Sequence, residues 1–396
     1  MPHLFPFSGV RYGAVDGRLD TVVAPPYDVI NAADRQALVA RSEHNAVRLE
    51  LPVEEGGRDR YEVAAELWRS WRRAGVLVDD AEPGFYIYRM GYHDEAGRPR
   101  QTTGVLGALE LSPPGEQILP HEHTTQKDKA DRLSLIRACR ANLSPIWALT
   151  PTVGLGALCE PEGPPDARAT DPEGVHHRLW RMTAPARLDA VAELVATAPA
   201  IVADGHHRYE TALAYQAERL AAGDGPGDHD LILAYVVELA EEQLRVQPIH
   251  RLVSGLPEGF DLIEALAAHF EVASFTGTTA DLPTAMADQE GLGLVTAKEA
   301  FLLRPTPATL VAADQDLDSS RLDVALATLP AHALAFQHGV DHVVAAIGGG
   351  QASAGVLLRP ATVAQIAATG QGGARMPPKT TFFAPKPRTG MVFRSC

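Results

Sequence analysis

The residues best suited to chemistry stand in one short run, Ile201-Val202-Ala203-Asp204-Gly205-His206-His207-Arg208-Tyr209. Ala200 to Ala203 read as a buried strand that enters Asp204-Gly205, and a helix-forming stretch follows at once. The first N–H groups of such a helix lack internal partners and lie at the positive end of its dipole, so an anion settles there readily. Arg208 in the first turn opposes that dipole, but its guanidinium suits a phosphate gripped at two oxygens. His206 and His207 add donors, and Asp204 could cap the helix or hold a cation. The alternative is an ordinary helix start, with Asp204 as its N-cap and the histidines on the surface.

A second cluster puts His121, Glu122 and His123 close to Lys127, Lys129 and Arg132. As half of a kinase site, Glu122 is a general base and the cations bind phosphates. As a metal site, His121 and His123 join His206 and His207 around zinc or manganese. As a solvated loop, the segment caps the next helix. Tyr27-Asp28 follows Pro25-Pro26 and reads as an extended segment closing in a turn. Lys379, Lys386 and Arg388 lie in a Pro/Gly-rich stretch, 372–389, that either wraps the surface or is stiff enough to hold a lysine over the site. Gly348-Gly349-Gly350 lacks the lysine of a P-loop and reads as a turn.

Around these residues the pattern predicts a helix over 59–74 stopped by Gly75, then a hairpin of strands at 85–90 and 103–111. A helix over 130–141, a strand at 145–149, a loop or insertion over 155–174, a strand at 178–182 and a helix over 187–197 follow. Beyond the 209–222 helix come a strand at 231–238, helices near 261–269 and 321–329, and a strand at 355–359. The division expected is an N-terminal region (1–111), a core (112–225) and a C-terminal region (226–396), in an α/β (α+β) fold.

Composition narrows the function classes. With 45% hydrophobic and 21% charged residues the chain is globular rather than disordered. A net charge of −15 argues against non-specific duplex binding, which needs a basic face. Cys139, Cys159 and Cys396 are too scattered for a disulfide framework and point to a reducing compartment. No signal peptide is read at the N-terminus, and the apolar run 231–237 is too short to span a bilayer. The expectation is a cytoplasmic protein that does not engage membranes.

The run Ala203 to Ala212 resembles the phosphate-binding signature of the ParB/sulfiredoxin superfamily, and its Gly-x-His-Arg form is closely similar to that of sulfiredoxins and free-serine kinases. Ile118-Leu119-Pro120-His121-Glu122, then Arg132, a helix and Ser144-Pro145-Ile146, is similar to the opening of a ParB-type domain. Over its length the chain resembles the domain-of-unknown-function 1015 family, often labelled SpoOJ/ParA/ParB/RepB. That likeness is carried by Pro25-Pro26-Tyr27-Asp28-Val29-Ile30, His121 to Thr124, Ala141 to Ile146, the Asp204 turn and Met376-Pro377-Pro378-Lys379-Thr380-Thr381-Phe382-Phe383. Thr380 stands where the family's Met-Pro-x-Lys-Ser-Thr-x-Phe ending has serine.

The resemblance implies nucleotide-dependent phosphoryl transfer to a small hydroxyl-bearing molecule, with serine the first acceptor to try. Gly205, His206, His207, Arg208, Lys127 and Arg132 would bind the nucleotide phosphates, Glu122 and Asp204 would be catalytic, and Mg²⁺ would accompany ATP or ADP. A ParB-like nucleotide-binding regulator or DNA-segregation protein is the alternative.

Overall fold

A computed structural model describes residues 1–13, 17–94, 96–120, 126–371 and 376–396, with the backbone alone at 126–128 and 371. The fold is mixed α+β, as expected, and its contacts gather into two compact units. One holds residues 1–120, 124–244 and 385–396; the other holds 245–384. The sequence suggested three segments instead. The difference arises because strands from all three segments, Leu231–Glu238 of the third among them, share one sheet.

The first unit is built on nine strands: β1 (Leu4–Phe5), β2 (Phe85–His93), β3 (Pro99–Glu110), β4 (Ile118–Pro120), β5 (Ile146–Thr150), β6 (Ala167–Thr170), β7 (His176–Met182), β8 (Ala200–Asp204) and β9 (Leu231–Glu238). Their order is β4-β8-β5-β9-β3-β2-β7-β6, with β1 paired to β3. The β8–β4 and β9–β5 pairs are parallel and the remainder antiparallel. The central strands β5 and β9 are buried almost throughout, so they read as apolar runs without alternation. At Gly104 a Cβ would meet the Val236 carbonyl oxygen at 2.2 Å, so β3 and β9 can approach only with glycine there. The stretch 155–174, expected as a loop, contains β6, whose Ala167 and Ala169 are buried while Arg168 and Thr170 are exposed. That alternation is too short to stand out among prolines and glycines.

Besides a single turn at Leu155–Leu158, the helices of this unit are α1 (Ala32–Arg41), α2 (Val47–Glu50), α3 (Arg60–Arg73), α4 (Gln126–Cys139), α5 (Pro185–Val195) and α6 (His206–Ala221). Asn31 and Asp34 form a capping box on α1, and Asp59 caps α3 through the Tyr61 N–H. Apolar side chains of β2, β3, β5, β8 and β9 share one core with Val191 and Val195 of α5 and Tyr209 and Ala212 of α6. Residues 385–396 close the unit, with Arg394–Ser395 pairing antiparallel to Ala141–Asn142.

The second unit is a six-stranded antiparallel sheet: β10 (His250–Ser254), β11 (Phe270–Phe275), β12 (Leu292–Thr296), β13 (Ala300–Pro305), β14 (Ala333–Gln337) and β15 (Ala354–Leu357), in the order β11-β13-β12-β15-β10-β14. Helices α7 (Leu262–Ala267) and α9 (Asp318–Leu326) place Leu266, Leu322 and Leu326 in one core cluster. Helices α8 (Leu282–Asp288) and α10 (Val340–Gly348) place Leu282, Met286, Val343 and Ile347 in another. The sequence marked only β15, α7 and α9 here; of the strands it missed, β14 is exposed along most of its length and so lacks an apolar run.

Candidate functional site

Strand β8 ends at Asp204, and Gly205 turns the chain with φ +90° into α6. A side chain at 205 would be strained at that angle, and its Cβ would sit 3.0 Å from Arg208 Nε. The guanidinium therefore folds back over the turn. Arg208 Nη2 donates to Asp204 Oδ2 at 2.7 Å, and Nη1 donates to the Pro145 carbonyl just before β5. The two sequence signatures, Ser144-Pro145-Ile146 and the Asp204 turn, are thus joined by one side chain.

Asp204 does not cap the helix. The N-cap residue of α6 is Gly205, which has no side chain to cap with, and no acidic residue lies in the first turn. The Asp204 carboxylate, 14% exposed, instead accepts from Arg208 and, at Oδ1, from Lys386 Nζ. Burial raises the carboxyl's pKa, but Lys386 and Arg208, with His206 nearby, outweigh this and hold it at about 2. The proline-rich stretch does hold a lysine over the turn. His206 is buried and His207 half-buried.

The remaining residues singled out by sequence divide. Arg132, 6% exposed, donates from Nη1 to the Glu50 carbonyl at 2.9 Å, pairs with Asp131, and lies with its guanidinium carbon 4.3 Å from the centre of the Tyr27 ring. Tyr27 is buried enough to push its hydroxyl's pKa up, against the pull of Arg208 and Arg132. Lys129 pairs with Glu210 on α6. Glu122, His121 and His123 lie outside the described residues, as does the Lys127 side chain. Among the described residues no group of three or more His, Cys, Asp or Glu could hold a metal ion, so His206 and His207 anchor no such cluster there.

Glu50 escaped sequence reading. Buried at the end of α2, it accepts from Ser144 Oγ at 2.9 Å through Oε1, while Oε2 has no partner among the described residues. It lines a cavity of about 50 Å³ together with Arg132, Ser144, Arg208 and Thr211. Arg208 Nε also lacks a partner among the described residues. Unsatisfied buried polar atoms are costly, so such a cavity suits a bound water or polar group. The one sequence signal was a carboxylate between the leucines of Val47-Arg48-Leu49-Glu50-Leu51.

No curated protein matches the chain. Among solved structures, a free serine kinase in complex with AMP is similar at 12% identity and TM-score 0.37, over 69% of this chain and 90% of that one. SbnI with a C-terminal truncation, from Staphylococcus aureus, is similar at 12% identity and TM-score 0.40, over 72% and 86%. A conserved hypothetical protein from Pyrococcus furiosus is similar at 13% identity and TM-score 0.35, over 70% and 91%. Among the described residues no helix is long and apolar enough to cross a membrane. The pattern of one family, described as "Protein of unknown function (DUF1015)", matches residues 4–325, and the chain belongs to that family.

Proposed function

We infer that the Asp204–Arg208 turn binds the phosphates of a nucleotide, and that the protein transfers a phosphoryl group to a small hydroxyl-bearing molecule. The observation that carries this reading is the convergence of Arg208 and Lys386 on Asp204 at the N-terminus of α6. Two cations held by one carboxylate keep their orientation, and an incoming phosphate can share them while the α6 amides supply further donors. Asp204 then acts as a positioning carboxylate. Both its oxygens already accept from cations, which suits it poorly to taking a proton.

Residues 112–225 are taken as a ParB/sulfiredoxin-like nucleotide-binding core, flanked by regions 1–111 and 226–396. Serine remains the first acceptor to try, on the likeness of the Gly-x-His-Arg run. Glu122 is assigned as general base from its place before α4, with Lys127 and Arg132 on the nucleotide side. Mg²⁺ binds through one or two carboxylates plus phosphates rather than in a protein cage, and would arrive here on ATP or ADP. Such a cation would offset phosphate charge.

Calorimetry with ATP, ADP and CTP tests the reading. Arg208→Ala should weaken nucleotide binding by about 1.5–3 kcal/mol, the scale of a charge-assisted contact. Unchanged affinity for all three nucleotides would sink it.

A further inference from the structure

The second unit contains a cavity of about 480 Å³, within the range of roughly 300–1,000 Å³ that small ligands occupy. Its wall combines an anchored guanidinium with oriented hydroxyls. Asp318, 4% exposed, accepts from Arg359 Nε at 2.9 Å and Nη2 at 2.6 Å, from the Arg359 backbone N–H at 3.0 Å, and from Arg321 Nη1 at 3.0 Å. The carboxylate fixes the plane of Arg359, and among the described residues Nη1 of that guanidinium makes no hydrogen bond. A guanidinium edge already held in place loses little entropy on meeting an anion.

The hydroxyls narrow the ligand. Thr380 Oγ1 donates to the Pro377 carbonyl at 2.7 Å, so the 3.0 Å contact between Ser319 Oγ and Thr380 Oγ1 takes the Ser319 proton. Ser319 Oγ is then left as an acceptor and calls for a donor. The stretch Met376 to Phe383 explains its sequence pattern here. Lys379 adopts φ +59°, its carbonyl accepts from Arg251 Nη1 at 2.9 Å, and Thr380 is thereby delivered to the cavity wall. Glu290, another non-glycine residue at positive φ (+51°), lies on the same wall. Such conformations cost free energy and persist where the surroundings impose them. Charge sets a further limit. Arg304, Arg321 and Arg359 are matched on the wall by Glu290, Asp316 and Asp318, which disfavours a polyphosphate.

We propose that this cavity binds a small carboxylic acid bearing a hydroxyl or amino group, its carboxylate on Arg359 Nη1 and Arg304 and its donor group on Ser319. The site lies within the second unit and does not depend on the phosphate-binding reading of the Asp204 turn.

Calorimetry on the full, nucleotide-free chain tests it, with malate, citrate, serine and glutamate as probes. Succinate is the carboxylate without a donor, and inorganic phosphate and ATP are the anions without a carboxylate. At least one hydroxy- or amino-carboxylate should bind at millimolar concentration and more tightly than succinate. Arg359→Gln should weaken it roughly tenfold or more, on the scale of one charge-assisted contact. Because Asp318 is buried, Arg359→Gln could unfold the unit, so Arg304→Gln at the exposed rim is the second variant and should weaken the same ligand severalfold. Silence from all four probes, affinity untouched by Arg304→Gln, or phosphate or ATP displacing the bound acid with an affinity that Arg304→Gln weakens would each overturn the proposal, whereas ATP binding that Arg304→Gln leaves unchanged belongs to the Asp204 turn.

Discussion

Asp204 shows how much one carboxylate can organise. Its depressed pKa means that the folded state holds it ionised more strongly than the unfolded chain does. The sign follows: this stabilisation is complete above about pH 4, and is lost as the pH falls through the folded value near 2. Asp204→Asn should remove that part of the acid dependence, so its melting temperature should change less than wild type between about pH 5 and pH 2. A variant with the full wild-type slope would assign the acid sensitivity elsewhere, with Asp171, also held low against its burial by His177 and Arg388, the next group to examine. Glu122 makes a kinetic prediction instead. If it accepts the acceptor's proton, Glu122→Gln should leave nucleotide affinity near wild type and lower turnover about 10²–10⁴-fold. Loss of affinity in parallel with rate would make it a phosphate-side residue.

At the scale of elements, the strand–turn–helix from Ala200 to Ala221 was legible because three local signals agree: an apolar strand, a glycine and a strong helix former. The 85–110 hairpin was legible for the same reason, with Asp94 and Gly97 closing its turn. What was not legible depends on contacts far apart in sequence. Lys386 reaches Asp204 from 182 residues away, and no periodicity encodes that meeting. Glu50 and Ser144 are separated by 94 residues and meet only once α2 and the segment before β5 are packed. The strands of the second unit carry weak patterns, as in Phe270–Phe275, where only Phe270 is buried. The Gly205 turn can be tested directly. Gly205→Ala must adopt a left-handed conformation and press on the Arg208 guanidinium, so it should destabilise the protein by about 1–2 kcal/mol in denaturant unfolding. Stability equal to wild type would show that the turn relaxes to another conformation.

For the whole molecule the net charge of −15 is the controlling quantity for encounters with other polyanions. Duplex DNA should not bind measurably at physiological salt, because that negative field repels the phosphate backbone. A gel-shift titration is the check, and specific nanomolar binding would bring the segregation-type regulator to the front.

The order in which the chain is made has its own consequence. The first unit is interrupted in sequence by 245–384 and resumes only at Pro385. A nascent chain therefore carries Asp204 and Arg208 out of the ribosome long before Lys386 exists. At about 5–20 residues per second, the 182 residues between Asp204 and Lys386 correspond to roughly ten to forty seconds of translation. During that interval Asp204 has Arg208 alone as its cationic partner of these two, and the β-pairing at Arg394–Ser395 cannot form. The residues 245–384, contiguous in sequence, can meanwhile fold without waiting for any later part of the chain. The contact of Lys386 with Asp204 is thus among the last in the first unit to form.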